Sequence, residues 1–316
     1  MAAHLRPYRG DPDVIAIRDF LVTAHRASAQ PLTWRLERWN YARYFVVPML
    51  ATYGGPDDET LVRQALHDWQ AIIGVWEDEG TIVGVALCED QRMDEAFLLR
   101  HPTYGHLLDE MVAYAEDHLR SPEDGVLRIP VYDHDMDLQA VLRRRGYVPE
   151  EEHPQHDSLF VIQNPPTYVL PDGYTLGSMA DAAGDIEKRR EVFGRAFGHP
   201  DPQDWPSRTS YKELQRAPDY RPELDLYVVA PDGTYASCCI VWWDAINRMG
   251  ILEPVGTHPD YRRRGLGRAV VGEAIRRVAD LGAERCWVGS GQVFYEAIGF
   301  RRELVAHTWR AIGSAL

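Results

Sequence analysis

Between Leu266 and Leu281 the apolar residues Leu266, Val270, Ala274, Val278 and Leu281 recur at steps of three and four. Arg268, Glu273, Arg276, Arg277 and Asp280 fall largely off that stripe. The spacing predicts a helix with one buried face, stopped by Gly282. Just before it, Ile251 to Thr257 reads as an apolar strand weakened at Pro254 and Gly256. Upstream, the same reading predicts a helix over 185–197 and a hairpin of 226–230 with 234–243 about Pro231-Asp232-Gly233. Downstream it predicts a short strand over 286–289.

The N-terminal half has a similar order. A helix is expected over 13–24, then a region rich in aromatics (Trp34, Trp39, Tyr41, Tyr44) with no assigned element. β-type runs at 71–76 and 81–88 flank the turn-forming Glu77-Asp78-Glu79-Gly80. A strand over 96–99, helix 107–119, strand 126–131, helix 138–145 ending at Gly146, and strand 159–162 follow. Gln163-Asn164-Pro165-Pro166 reads as a linker.

The two halves align at a near-constant offset. Gly80 to Gly233 is 153 residues, His101 to His258 is 157, and Gly146 to Gly299 is 153. Equal spacing with equal element order marks an internal duplication. The fold class expected is α+β, in two domains over 1–163 and 164–316, a division that a length of 316 residues allows.

Charge is divided unevenly. Residues 1–165 hold 28 acidic side chains, 15 arginines and no lysine, so nearly all of the formal charge of -14 lies there. That disfavours nucleic acid and anionic membrane as partners, and it either suits a cationic substrate or partner or serves solubility alone. No run approaches the length of a membrane span and no secretory leader is read at the N-terminus. Four cysteines, two of them adjacent at 238 and 239, give no disulfide framework, so the expected setting is the reduced cytoplasm.

The candidate chemistry starts where the strand meets the helix, at Arg262-Arg263-Arg264-Gly265-Leu266-Gly267. Glycines that tolerate positive φ, followed by a helix N-terminus with free N–H groups and flanked by arginines, make an anion cradle. It is not a dinucleotide fingerprint, because Val270 stands where the third glycine belongs, and it lacks the Gly-Lys-Ser/Thr of a Walker loop. R-x-x-G-x-G after a strand carrying V-G-T-H-P, with Phe294-Tyr295-Glu296-Ala297-Ile298-Gly299-Phe300 about 30 residues on, resembles the GNAT superfamily of N-acetyltransferases.

The resemblance implies two tandem GNAT-like domains, each a mixed, mostly antiparallel sheet flanked by helices. It implies acetyl-CoA as co-substrate, no metal, and transfer of an acetyl or short acyl group to a primary amine. Val255, Gly256 and Thr257 would meet the pantetheine arm and the acetyl carbonyl at a bulged strand. Arg262, Arg263, Arg264, Gly265, Leu266, Gly267 and Arg268 would hold the diphosphate. Tyr295 would protonate the leaving thiolate, its other reading being a core aromatic. Glu253 is the candidate general base or else a structural partner of an arginine. His199, Asp201, Asp204, Trp205 and Tyr211 are the candidate acceptor lining. Val288 stands where the superfamily often has asparagine.

The first copy departs from this pattern. After His101-Pro102-Thr103-Tyr104 it enters its helix without the arginine and Gly-x-Gly loop, and Leu142 replaces the tyrosine. It is expected to shape the second copy's pocket rather than bind coenzyme A. Asp133 to Asp137 begins like a calcium loop but has Leu138 and Arg144 at the glycine and glutamate positions, so helix capping accounts for it. A monomer or homodimer is expected, and the rival function is a non-catalytic acyl-CoA sensor or scaffold.

Overall fold

The computed structural model describes residues 3–28, 31–181 and 184–311. In chain order the first half forms β1 (His4–Pro7), α1 (Asp11–Ala27), α2 (Leu36–Tyr41), α3 (Val47–Thr52) and α4 (Glu59–Ala71). Then come β2 (Gly74–Asp78), β3 (Thr81–Cys88), β4 (Ala96–Arg100), α5 (Leu108–His118), β5 (Arg128–Tyr132), α6 (Met136–Arg144), β6 (Tyr147–Pro149) and β7 (Gln155–Val161). The second half forms β8 (Thr175–Ser178), α7 (Ile186–Ala196), α8 (Arg208–Leu214), β9 (Asp225–Val229), β10 (Tyr235–Asp244) and β11 (Met249–Thr257). It ends with α9 (Leu266–Asp280), β12 (Arg285–Val288), α10 (Val293–Glu296) and β13 (Arg301–Ala311).

These elements make two compact units, neither of them continuous. One takes in the described residues of 1–42, 63–156 and 304–316; the other takes in 43–62 and 157–303. A single cut after residue 163 does not produce this division. Segment 43–62, from the N-terminal half, counts with the second unit because Phe45 and Val47 are buried there, Phe45 edge-on to Phe193 and Tyr211. The chain's last strand counts with the first because Ala306 to Arg310 pair with Tyr132 to Arg128 of β5, and Trp309 to Ala311 with β6. Residues 71–73, expected as strand, close α4 and its connection to β2.

In the first unit β1, β2, β3 and β4 form an antiparallel sheet in that order. Its core joins Trp76, Val83 and Leu98 of the strands to Met111 and Val112 of α5. Asp135 caps α6, its carboxylate accepting from Leu138 N–H at 3.1 Å, which is the use expected of that acidic run.

The second unit's sheet runs β7-β12-β11-β10-β9-β8. All its pairs are antiparallel except β11 with β12. β10 is buried almost throughout because helices cover both faces. Alternation along it sends Cys239 toward α9, with Val270 and Ala274, and Cys238 toward α7, with Val192.

The duplication extends to single hydrogen bonds. In each unit a His-Pro-x-Tyr turn leaves the strand, with the histidine accepting from the N–H two residues on: His101 from Thr103, His258 from Asp260. The tyrosine then donates to an aspartate in the preceding hairpin turn. Tyr104 reaches Asp78 at 2.7 Å and Tyr261 reaches Asp232 at 2.6 Å.

Candidate active site

The site forms where β11 leaves its neighbours. Against β10 it pairs from Asp244↔Met249 to Val241↔Leu252 and resumes at Cys239↔Val255, so Ile240 alone faces Glu253 and Pro254. That is a bulge, at the proline that cannot donate to a ladder. Against β12 it pairs only from Met249↔Arg285 to Leu252↔Val288. From Glu253 to Thr257 β11 therefore runs beyond its last pair with β12, and among the described residues no strand takes the place of β12 there. The indole of Trp242 fixes the bulge by donating to the Glu253 carbonyl at 2.8 Å.

Tyr295, on α10, lies beneath this opening. It is 6% exposed, edge-on to Phe294 and Phe300, and packed among the buried residues around Cys239 and Val288. Burial first, then the Cys239 and Cys286 thiols and the Glu253 carboxylate, push its phenol far above the usual range. The structure thus brings Glu253 near enough for its charge to act on Tyr295. The phenol stays protonated at neutral pH, in the form an acid needs, and its hydroxyl has no hydrogen-bond partner among the described residues. Glu253 is half-buried. The neighbouring thiols are buried and raised by burial, hence poor nucleophiles.

At the mouth of the opening α9 begins. Gly265 precedes it at φ 80°, a left-handed conformation suited to glycine, and Arg263 has φ 66°. No side chain caps the helix, and its first internal bond runs from Ala269 N–H to Gly265. The N–H groups of Leu266, Gly267 and Arg268 therefore point outward with no acceptor among the described residues. Two of the arginines serve the protein itself. Arg262 donates to the carbonyls of Thr257 (3.2 Å) and Ala196 (3.1 Å), and Arg264 to Tyr174 (2.8 Å) and the Asp260 carbonyl. Arg263 and Arg268 are exposed and make no ion pair among the described residues. A Cβ on Gly267 would come within 3.1 Å of Thr257 Oγ1 and Phe294 Cζ, so helix, strand and α10 converge there.

The residues fit a coenzyme A thioester: an uncapped helix N-terminus with two free arginines for phosphates, an open strand edge for an amide-bearing arm, and a protonated phenol below it.

The expected acceptor lining is only partly assembled. The last turn of α7 lies on β11, where a Cβ on Gly256 would be 2.7 Å from Ala196 Cβ. His199, Asp201, Asp204 and Trp205 follow on the loop, with Trp205 Nε1 donating to the His199 carbonyl at 3.1 Å. Asp201 caps a short turn, accepting from Gln203 N–H at 3.1 Å. Tyr211 is a correction. It is wholly buried, donating to Asp225 at 2.9 Å beside the buried Arg189, so it offers no face to a ligand. Its position on the inner side of short α8 decides this. Sequence reading missed Tyr53 and Asp57, which reach His199 beyond α7 and Thr209 of α8 from segment 43–62. Nothing local signalled that this segment belongs to the second unit. Among the described residues no group of three or more potential metal ligands comes together, and no helix is long and apolar enough to cross a membrane.

A bulged, opened strand feeding an uncapped helix is the arrangement that the GNAT resemblance implies. Residues 222–302 match the GNAT acetyltransferase domain, and the chain thus carries a GNAT domain. Solved structures share the fold along nearly the whole chain. A tandem GNAT protein from the clavulanic acid biosynthesis pathway is 16% identical with TM-score 0.61, covering 98% of each chain. A GCN5-related N-acetyltransferase from Sphaerobacter thermophilus is 16% identical with TM-score 0.55, covering 98% of this chain and 95% of that one. A GNAT-family acetyltransferase from Colwellia psychrerythraea is 11% identical with TM-score 0.56, covering 98% and 99%. No curated protein sequence matches the chain.

Proposed function

We propose that the second unit is an N-acetyltransferase that moves an acetyl or short acyl group from coenzyme A to the primary amine of a small cationic molecule in the cytoplasm, acting as a monomer or homodimer. The observation that carries this reading is the stretch of β11 beyond its last pair with β12, between the uncapped start of α9 and the protonated Tyr295. Bound acetyl-CoA would supply the activated thioester. The amides of Leu266, Gly267 and Arg268, with Arg263 and Arg268 side chains, would hold its diphosphate, while Val255, Gly256 and Thr257 line the arm. Glu253 would take a proton from the incoming ammonium, directly or through water. As the amine nitrogen replaced the sulfur on the carbonyl carbon, Tyr295 would give its proton to the departing thiolate and regain one from the second proton that the nitrogen sheds in becoming an amide. The first copy, without Gly-x-Gly loop or tyrosine, would not bind coenzyme A.

The test is release of free thiol from acetyl-CoA across a panel of amines, with acetylated product followed by mass spectrometry. Acceptor-dependent release is expected. Tight acetyl-CoA binding without release for any amine would instead favour a sensor or scaffold.

A further inference from the structure

Three features outside the proposed chemistry can be weighed. A cavity of about 310 Å³ in the first unit lies between β4 and β5, but Arg100 and Asp135 bond to each other at its wall, and its lining selects no ligand. The buried Arg189 has two nitrogens without partners, yet it is sealed beneath Tyr211 and Asp225 and reaches no opening. The third, segment 43–62, carries an inference.

This segment is fixed at both ends to the second unit. Phe45 is buried between Phe193 and Tyr211, with ring centroids 5.2 and 6.0 Å away. Asp57 accepts from Thr209 N–H in the first turn of α8 at 2.8 Å. Burial opposes the ionisation of Asp57, yet hydrogen bonds from Thr209 and Ser207 and the charge of Arg190 hold its carboxyl below the usual value. Between the anchors Tyr53 is 45% exposed, and its hydroxyl meets His199 Nδ1 at 3.0 Å with the rings edge to face.

His199 lies three residues beyond Ala196, which abuts Gly256 of β11, so at most about 10 Å of chain separates it from that contact with the opened strand. Beside it Phe197 is 49% exposed and Trp205 half-buried. The acids around this wall are largely engaged by backbone: Asp57 by Thr209, Asp58 by Thr60, Asp201 by Gln203. Tyr53 and Phe197 both stay substantially exposed instead, Phe197 with its ring centroid 4.6 Å from that of Phe193. When Nδ1–H donates to the Tyr53 oxygen, Nε2 keeps a lone pair for a donor.

We infer that Tyr53, Phe197, His199 and Trp205 form the acceptor wall of the second unit, and that it selects amines carrying a flat apolar body, arylalkylamines, with Tyr53 as the residue that positions His199. This rests on the acyl-transfer reading for the amine end and on the wall alone for the aromatic end.

The experiment compares phenethylamine, n-butylamine and cadaverine as acceptors with acetyl-CoA, and follows the His199 imidazole resonances, assigned with His199→Gln, as phenethylamine is added. The expected result is at least tenfold higher kcat/KM for phenethylamine than for n-butylamine. Tyr53→Ala and Phe197→Ala each lower kcat/KM for phenethylamine about tenfold, removing most of that preference. Tyr53→Phe, which keeps the ring, raises the phenethylamine KM several-fold at constant kcat and weakens the His199 response. Turnover without aromatic preference and a silent His199 overturns the wall while leaving acyl transfer intact, and preference for cadaverine overturns the ligand class. A responding His199 with no thiol release for any amine keeps the wall and overturns the transfer; no response in either readout overturns both.

Discussion

The turns that follow β4 and β11 begin alike and end differently. Both start His-Pro-x-Tyr, both have the histidine accept an N–H, and both tie the tyrosine to an aspartate across the hairpin. After β4 the chain stays in tight helical turns from Pro102 to Leu107 and runs directly into α5, with Leu108 N–H donating to the Gly105 carbonyl. After β11 it opens through Arg263 and Gly265 at positive φ, and the first amides of α9 face outward. The opened edges differ as well. Arg100, at the end of β4, makes a two-fold hydrogen bond to Asp135, whereas β11 from Glu253 onward runs beyond its last pair with β12 and has Tyr295 beneath it. An anion cradle therefore needs more than a strand-to-helix turn. It needs residues that let the helix start late, leaving its amides unused.

The largest contrast concerns buried charge. In the second unit Asp225 accepts from Arg189, Tyr211 and Tyr220, with both members of the ion pair fully buried. In the first, Arg100 and Asp135 keep 12% and 23% exposure. Asp225→Ala leaves a guanidinium uncompensated in the interior and should lower the stability of the second unit by about 3–5 kcal/mol. Asp135→Ala loses mainly a helix cap, about 1 kcal/mol. Urea unfolding resolved by hydrogen exchange reads the two; equal losses would mean that burial does not set the difference.

Next comes the phenol. Tyr295→Phe should lower kcat about 10²-fold with unchanged acetyl-CoA affinity and fold, because it removes a general acid and little volume. Leu142, the corresponding position in the first unit, lies buried in an apolar core, and Leu142→Met should leave kcat as it is. Thiol-release kinetics under acceptor saturation measure both.

The glycines test the turn itself. A side chain on Gly265 meets nothing within 4 Å but is forced to φ 80°, so Gly265→Val should weaken acetyl-CoA binding about tenfold through backbone strain of about 1–2 kcal/mol. Gly105 has no such φ, and its nearest obstacle is Asp137 Oδ2 at 3.8 Å. Gly105→Ala should leave the acetyl-CoA affinity unaltered in a titration by calorimetry.

What could be read from sequence follows the same divide. The stripe from Leu266 to Val278, the glycine at 265 and the proline at 254 are local signals, and the helix, the positive φ and the bulge all appear at those residues. The helical stripe Val62, Leu66 and Trp69 of α4 was equally local, hidden only because its surroundings read as irregular. By contrast, which core Phe45 fills and which strand Ala306 joins depend on residues more than a hundred positions away. Tyr211, placed in the acceptor lining by the resemblance, failed for the same reason, since burial of Arg189 and Asp225 beside it was not visible in the chain.

The smallest effect lies in acid. Burial disfavours the charged form of Glu273 on α9, but hydrogen bonds from Arg276, Arg277 and Tyr168 outweigh it and bring the carboxyl from 4.5 down to about 2. Because the folded value is depressed, Glu273 stabilises the second unit fully above pH 4.5, and that contribution disappears as pH falls from 4.5 toward 2. Asp124 in the first unit is also held at about 2, by Arg128 first and then the Val126 N–H, yet this pair lies at the surface. Salt should screen the Asp124 contribution and leave that of Glu273 largely intact. Unfolding followed between pH 2 and 5 at low and high salt should show an acid limb in the second unit that persists in salt and flattens in Glu273→Gln. In the first unit the corresponding limb should be lost to salt alone. A limb in the second unit that survives Glu273→Gln would assign it to other carboxylates and remove this last difference between the two copies.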